Sequence, residues 1–135
     1  MSGRIVFGGE FPLFYFVRHG ETDWNAERRL QGQLDIPLND VGRRQSAQCG
    51  VTLRGLIAAR CKTPADFTFI SSPLSRARET MEILRGALGL PRDGYAIDPR
   101  LAELSFGRWE GLTSKEVRAL DRAALAARED RKSVV

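Results

Sequence analysis

Apolar and polar positions along the chain alternate between short continuous runs and longer stripes of helical period. Leu13-Phe14-Tyr15-Phe16-Val17 is an unbroken apolar run that stops at Arg18-His19-Gly20. Being apolar on both sides, it predicts a strand in the middle of a parallel sheet, covered by helices. The preceding residues 1 to 12, punctuated by Gly3, Gly8, Gly9 and Pro12, predict a loose leader. Thr22 to Asn39 is polar and turn-rich, the pattern of a connection that walls a cleft at a strand end. Asn39 then suits an N-cap and Asp40 the first helical turn. Cys49, Leu53, Leu56 and Ile57, at i, i+4, i+7 and i+8, place one buried face on a helix from about Asp40 to Ala59.

The second half repeats the alternation. Phe67-Thr68-Phe69-Ile70 predicts a short strand. Ser72 as N-cap and Pro73 at the first helical position predict a helix that starts at once, with Leu74, Ala77, Met81, Leu84 and Leu88 inward and Gly89 as its stop. Gly94 to Asp98 reads as an edge strand and Pro99 to Gly111 as a loop. Thr113 with Glu116 forms a capping box that opens a helix over Ser114 to Ala127, with Val117, Leu120 and Ala124 inward.

Composition narrows the class. A chain of 135 residues can build one core but not a core plus a separate module, so residues 13 to 135 are expected to be one α/β domain carrying its own site. With 42% hydrophobic and 28% charged residues it is globular rather than disordered. The net charge of +4 suits an anionic ligand, but the excess is spread along the chain and forms no concentrated patch, so no nucleic-acid partner is expected. Cys49 and Cys61 are too few for a disulfide framework or a zinc site, which points to a reducing cytoplasm and to no metal. No run approaches the roughly 18 apolar residues of a membrane span.

His19 is the only histidine in the sequence. It leaves the first strand tip beside Arg18, and Arg76 occupies the first turn of the helix after the second strand. If the two strands are parallel neighbours, both tips and a helix N-terminus open on one crevice, which suits a dianionic phosphoryl group. Arginine fits this task because its planar fork donates two hydrogen bonds and stays charged. Cationic neighbours also disfavour imidazolium, keeping the His19 ring neutral and nucleophilic.

Three segments carry a family resemblance: Arg18-His19-Gly20-Glu21-Thr22 with Trp24-Asn25, then Ser71-Ser72-Pro73-Leu74-Ser75-Arg76-Ala77-Arg78-Glu79-Thr80, then Leu101-x-Glu103-x-x-Phe106-Gly107-x-Trp109-Glu110-Gly111. In this order they resemble the histidine phosphatase superfamily, which also contains the cofactor-dependent phosphoglycerate mutases. The resemblance implies a three-layer phosphoglycerate mutase-like fold with a mostly parallel sheet and helices on both faces. It makes His19 the nucleophile, with Arg18 and Arg76 gripping the phosphoryl group and Glu103 moving protons. Asn25 would help to position phosphate, and Thr22, Gln31 and Gly32 would line the mouth. Leu104-Ser105-Phe106 and Gln31-Gly32-x-x-Asp35-x-Pro37-Leu38 look like the phosphatase branch, implying phosphomonoester hydrolysis of a small phosphorylated metabolite without a cofactor. Phosphoglycerate mutase-type transfer is the neighbouring alternative.

The family also supplies a second pocket histidine from a later His-Gly segment, and this sequence has none. The expectation is therefore a fold incomplete at the C-terminus, truncated or frameshifted, with weak turnover or none. A second expectation of a different class is a phosphate-binding or vestigial fragment without catalysis. A strand edge left open by such a loss would favour self-association.

Overall fold

The structure is a computed structural model that describes residues 2–6, 13–102, 108 and 110–120. In chain order it contains β1 (Ser2–Val6), β2 (Leu13–Val17), α1 (Asp23–Ala26), α2 (Asp40–Ala58), β3 (Ile70–Ser71), α3 (Ser75–Ala87), β4 (Ala96–Ile97) and α4 (Ser114–Leu120). The class is α/β, as the alternation of runs and stripes predicts.

The strand pairing differs from expectation in two respects. β2 runs antiparallel to β1, with Ser2 opposite Val17 and Val6 opposite Leu13, so the stretch expected to be a loose leader contains a strand. The physical reason is the ladder itself: β2 presents a row of backbone donors and acceptors that need partners, and β1 supplies them. Nor is β2 hydrogen-bonded to the second predicted strand among the described residues. That strand is shorter and later than predicted, and β3 instead pairs in parallel with β4, Ile70 opposite Ala96 and Ser71 opposite Ile97.

Side chains of β2 alternate strictly. Tyr15 and Val17 pack with Phe67, Phe69, Met81 and Leu90 against a core of Leu53, Ile57, Leu84 and Leu88, contributed by α2 and the end of α3. Phe14 and Phe16 point the other way and are 47% and 58% exposed. The strand read as covered on both sides is covered on one among the described residues.

α2 begins where the sequence places it, with the Asn39 side chain accepting the Gly42 N–H at 2.8 Å. Its buried stripe is Gly42, Ser46, Gly50, Leu53 and Ile57, so Cys49 sits at the edge of the contact, half-buried, rather than in the core. Small residues explain the rotation. A Cβ on Gly50 would lie 2.6 Å from the Ala87 Cβ, so α2 and α3 approach at a separation that only glycine permits.

α3 starts two residues later than Pro73 predicts. Its N-cap, Leu74, has no capping side chain. The Ser75 N–H is instead accepted by the Asp35 carboxylate at 2.6 Å, from a loop forty residues earlier, while Ser72 Oγ accepts the Leu74 N–H at 3.3 Å. The helix ends at Leu88 and Gly89, whose φ of 77° is the left-handed stop that the sequence indicates.

The capping box of α4 forms as predicted: Thr113 N–H donates to Glu116 Oε2 at 2.7 Å and Glu116 N–H to Thr113 Oγ1 at 3.2 Å. Val117 is fully buried. Leu120's side chain, Ala124 and the rest of the helix expected up to Ala127 lie outside the described residues. Ahead of α4, the Leu30 N–H donates to Leu112 O and the Gly111 N–H to Leu30 O, each at 2.8 Å. This crossing ties the polar connection after β2 to the chain entering α4. No helix among the described residues is long and apolar enough to cross a membrane.

Candidate active site

β2 delivers Arg18 and His19 at its C-terminal end, and the backbone that follows is held on several sides. His19 Nδ1 lies 2.7 Å from its neighbour Gly20 O; a carbonyl only accepts, so the contact is a hydrogen bond when Nδ1 carries the proton, and in that neutral tautomer the ring lone pair is on Nε2. The Gly20 N–H donates to Thr80 Oγ1 of α3 at 3.0 Å. The Glu21 N–H donates to Gln45 Oε1 of α2 at 2.9 Å. Gly20 also lies against Gly42, where a Cβ would stand 2.3 Å from the Gly42 carbonyl oxygen. The glycine of Arg18-His19-Gly20 is thus required by the first turn of α2.

A cavity of about 830 Å³ opens at this turn, lined by Arg18, His19, Glu21 and Asn25 on one side and by Val41, Arg44, Gln45, Gln48, Cys49 and Thr52 of α2 on the other. Three of the residues expected at the site, Arg18, His19 and Asn25, therefore share one space. Arg44 of α2 joins them. The signal that locates it is spacing: Val41, Arg44, Gln45 and Gln48 stand at i, i+3, i+4 and i+7 on the helix whose first turn touches Gly20. Among the described residues neither Arg18 nor Arg44 forms an ion pair, whereas Arg43 next door is held by Glu79 at 2.7 Å and Asp40 at 2.9 Å.

The other expected residues lie beneath the surface as one network. Thr22 is fully buried and caps α1: its hydroxyl accepts the Asn25 N–H at 3.1 Å, its own N–H donates to Asn25 Oδ1 at 3.0 Å, and its hydroxyl donates to Gln31 Oε1 at 2.5 Å. Gln31 is 7% exposed and is followed by the buried Gly32. Arg76, 2% exposed, donates from its two terminal nitrogens to the carbonyls of Gly32 and Leu34, each at 2.6 Å. Arg76 is joined to the His19 turn through this loop and through Thr80, not through a shared parallel sheet. Glu103 lies outside the described residues.

Trp24, next to Asn25, packs over Gly111, where a Cβ would stand 3.1 Å from the indole. Arg29 reaches the Gly111 carbonyl at 2.6 Å. The connection after β2 therefore serves as scaffold between the His19 turn and the chain entering α4.

Asp35 is a carboxylate whose titration this arrangement shifts. The Ser75 N–H bond first, and the Arg76 and Arg78 charges after it, hold it below the usual aspartate range. Among the described residues no three His, Cys, Asp or Glu side chains come together as a metal site.

Residues 14–134 match the family model of the histidine phosphatase superfamily, branch 1. A curated relative from Escherichia fergusonii, named "Probable phosphoglycerate mutase GpmB", is 46% identical over 93 residues, covering 69% of this chain and 38% of the relative. A solved mycobacterial glucosyl-3-phosphoglycerate phosphatase, in complex with VO3, superposes with a TM-score of 0.63 at 35% identity, covering 80% of this chain and 49% of that one. A phosphoserine phosphatase from Entamoeba histolytica, in complex with 3-phosphoglyceric acid, gives a TM-score of 0.59 at 31% identity over 74% of this chain and 44% of that one. The chain thus spans less than half the length of these relatives.

Proposed function

The chain belongs to the histidine phosphatase superfamily, branch 1, and on that premise we propose that it hydrolyses phosphomonoesters through a phosphohistidine on His19. The observation that carries this reading is the contact of His19 Nδ1 with Gly20 O at 2.7 Å beside Arg18 in an open cavity. A ring protonated on Nδ1 presents the Nε2 lone pair to phosphorus, and Arg18 supplies a fork for the phosphoryl oxygens.

In the first step Nε2 attacks phosphorus and the bond to the ester oxygen breaks, with Glu103 as carboxylic acid giving its proton to the departing oxygen. In the second, Glu103 as carboxylate takes a proton from water, the water oxygen attacks phosphorus, and the P–N bond breaks to return neutral His19. Arg76 is assigned to the charge developing on the phosphoryl group and Asn25 to its position; Thr22, Gln31 and Gly32 support the loop that holds them. The substrate class is a small phosphorylated metabolite, and the setting is the cytoplasm. Leu104-Ser105-Phe106 after Glu103, less polar than the stretch that the mutases carry, favours hydrolysis over mutase-type transfer, which shares the first step and is the function that the curated relative's name carries. Self-association through an open strand edge belongs to the same reading.

A second reading is favoured by one observation. His19 is the sole histidine in the sequence, so the second pocket histidine that the family resemblance implies is missing, which suits a phosphate cradle without turnover. Phosphate release from p-nitrophenyl phosphate, compared between the protein and its His19→Ala variant, separates the two. Release that disappears with His19 supports hydrolysis; phosphate binding by a folded protein with no release supports the cradle.

A further inference from the structure

Two consecutive peptide units follow His19, and each is held by a side chain from a different helix. The unit between His19 and Gly20 gives its N–H to Thr80 Oγ1 at 3.0 Å. The unit between Gly20 and Glu21 gives its N–H to Gln45 Oε1 at 2.9 Å. Its carbonyl is the Gly20 oxygen that faces His19 Nδ1 at 2.7 Å. In a trans peptide the N–H and C=O point in opposite directions, so holding the N–H aims the carbonyl. Donation to Gln45 also polarises that carbonyl and makes it a better acceptor.

We infer that Gln45 and Thr80 are positioning residues that fix the tautomer of His19. Gln45 does so by orienting and polarising the Gly20 carbonyl, and Thr80 by anchoring the peptide that joins this carbonyl to the histidine. Thr80 is suited to accept because its own hydrogen is committed: the hydroxyl lies 2.7 Å from the Arg76 carbonyl one turn back. With Thr80 only 3% exposed, water does not compete for the Gly20 N–H. Ser46, 1% exposed, stands 3.4 Å from the same hydroxyl and bonds to Gly42 O at 2.8 Å, which closes the space on the α2 side. The backbone relay runs from Arg76 on α3 through Thr80 to the peptide after His19. The two helices therefore act together on the backbone that faces the ring.

This inference rests on His19 as the reacting group, but its test does not require turnover. His19 is the only histidine, so in 15N-labelled protein one pair of imidazole nitrogens reports directly on the tautomer. The comparison is between wild type, Gln45→Leu, Gln45→Glu, Thr80→Val and Thr80→Ser. Gln45→Glu and Thr80→Ser keep an acceptor oxygen and are expected to keep the Nδ1–H signature. Gln45→Leu and Thr80→Val are expected to lose it toward the Nε2–H form that dominates in free histidine, and to slow phosphorylation of His19 by about 10- to 100-fold.

Gln45 is exposed, so its variants test the inference even if Thr80→Val fails to fold. In wild type, the Gly20 and Glu21 amides should both be protected from hydrogen exchange. A folded Gln45→Leu variant with an unchanged wild-type tautomer overturns the inference, as do unprotected Gly20 and Glu21 amides in wild type. Failure of the proposed activity shows up separately, as the correct tautomer without phosphate release.

Discussion

Gly20 and Gly42 cross so closely that neither backbone leaves room for a side chain. A Cβ on Gly20 would lie 2.3 Å from the Gly42 oxygen, and one on Gly42 would lie 2.1 Å from the Glu21 oxygen. The turn that carries His19 is therefore docked on the first turn of α2 backbone to backbone, and the α2 wall of the cavity is fixed relative to the imidazole.

Gly42→Ala sets two effects against each other. Alanine inside a helix gains about 1 kcal/mol over glycine. The collision here is with backbone rather than with a flexible side chain, and overpacking of this kind costs ~1–3 kcal/mol. The collision is expected to win, so the urea midpoint of Gly42→Ala should fall below wild type. Gly55→Ala, also on α2 but with nothing within 4 Å of the added methyl, should raise it.

Arg76 presents a buried charge whose terminal nitrogens serve two loop carbonyls. Arg76→Met removes both donors, and a buried acceptor left without a partner, as the Gly32 carbonyl would be, costs ~1–3 kcal/mol. Thermal unfolding should move to a clearly lower temperature. Arg76→Lys, a point donor in place of a fork, should fall between the two.

The acid side of the stability profile is expected to depend on Asp35. Its folded-state value is lowered, chiefly by the Ser75 N–H, from a usual value of 3.8. A lowered value means stability that is present above the usual aspartate range and lost as pH falls through the folded value. Urea midpoints between pH 7 and pH 2.5 should therefore fall more steeply for wild type than for Asp35→Ala, whose profile lacks this component. The difference should be small, since the carboxylate is largely exposed.

Arg44 has no ion-pair partner among the described residues and lines the cavity with Arg18 and His19. Removing one exposed cation from an open site is worth about 0.5–1 kcal/mol, a factor of roughly 2 to 5. Arg44→Ala should weaken vanadate binding by that factor and reduce its dependence on salt. Arg43→Ala, whose guanidinium is occupied by Glu79 and Asp40, should leave binding unchanged.

What the sequence made legible follows from how local each signal is. The α2 start at Asn39, the Gly89 stop and the Thr113–Glu116 box depend on residues within one turn, and all three stand in the structure. The start of α3 was misplaced because its cap comes from Asp35, and no local pattern encodes a partner forty residues away. The apolar run of β2 identified a strand but not its neighbour, since pairing with Ser2–Val6 is set by available backbone rather than by side-chain period. At the site, Arg18, His19 and Asn25 were legible as a motif and do share a cavity. Arg44, Gln45 and Thr80 were not, because their roles arise only when α2 and α3 close on Gly20 and Glu21.

In the proposed reaction His19 carries the phosphoryl group. Rapid acid-free quenching of the protein during exposure to a phosphomonoester, followed by peptide mass mapping under neutral conditions, measures it directly. The expected result is an acid-labile phosphate on the peptide containing His19, absent from His19→Ala. Phosphate on any other residue, or a folded wild-type protein with no phosphorylated peptide at saturating substrate, would contradict it.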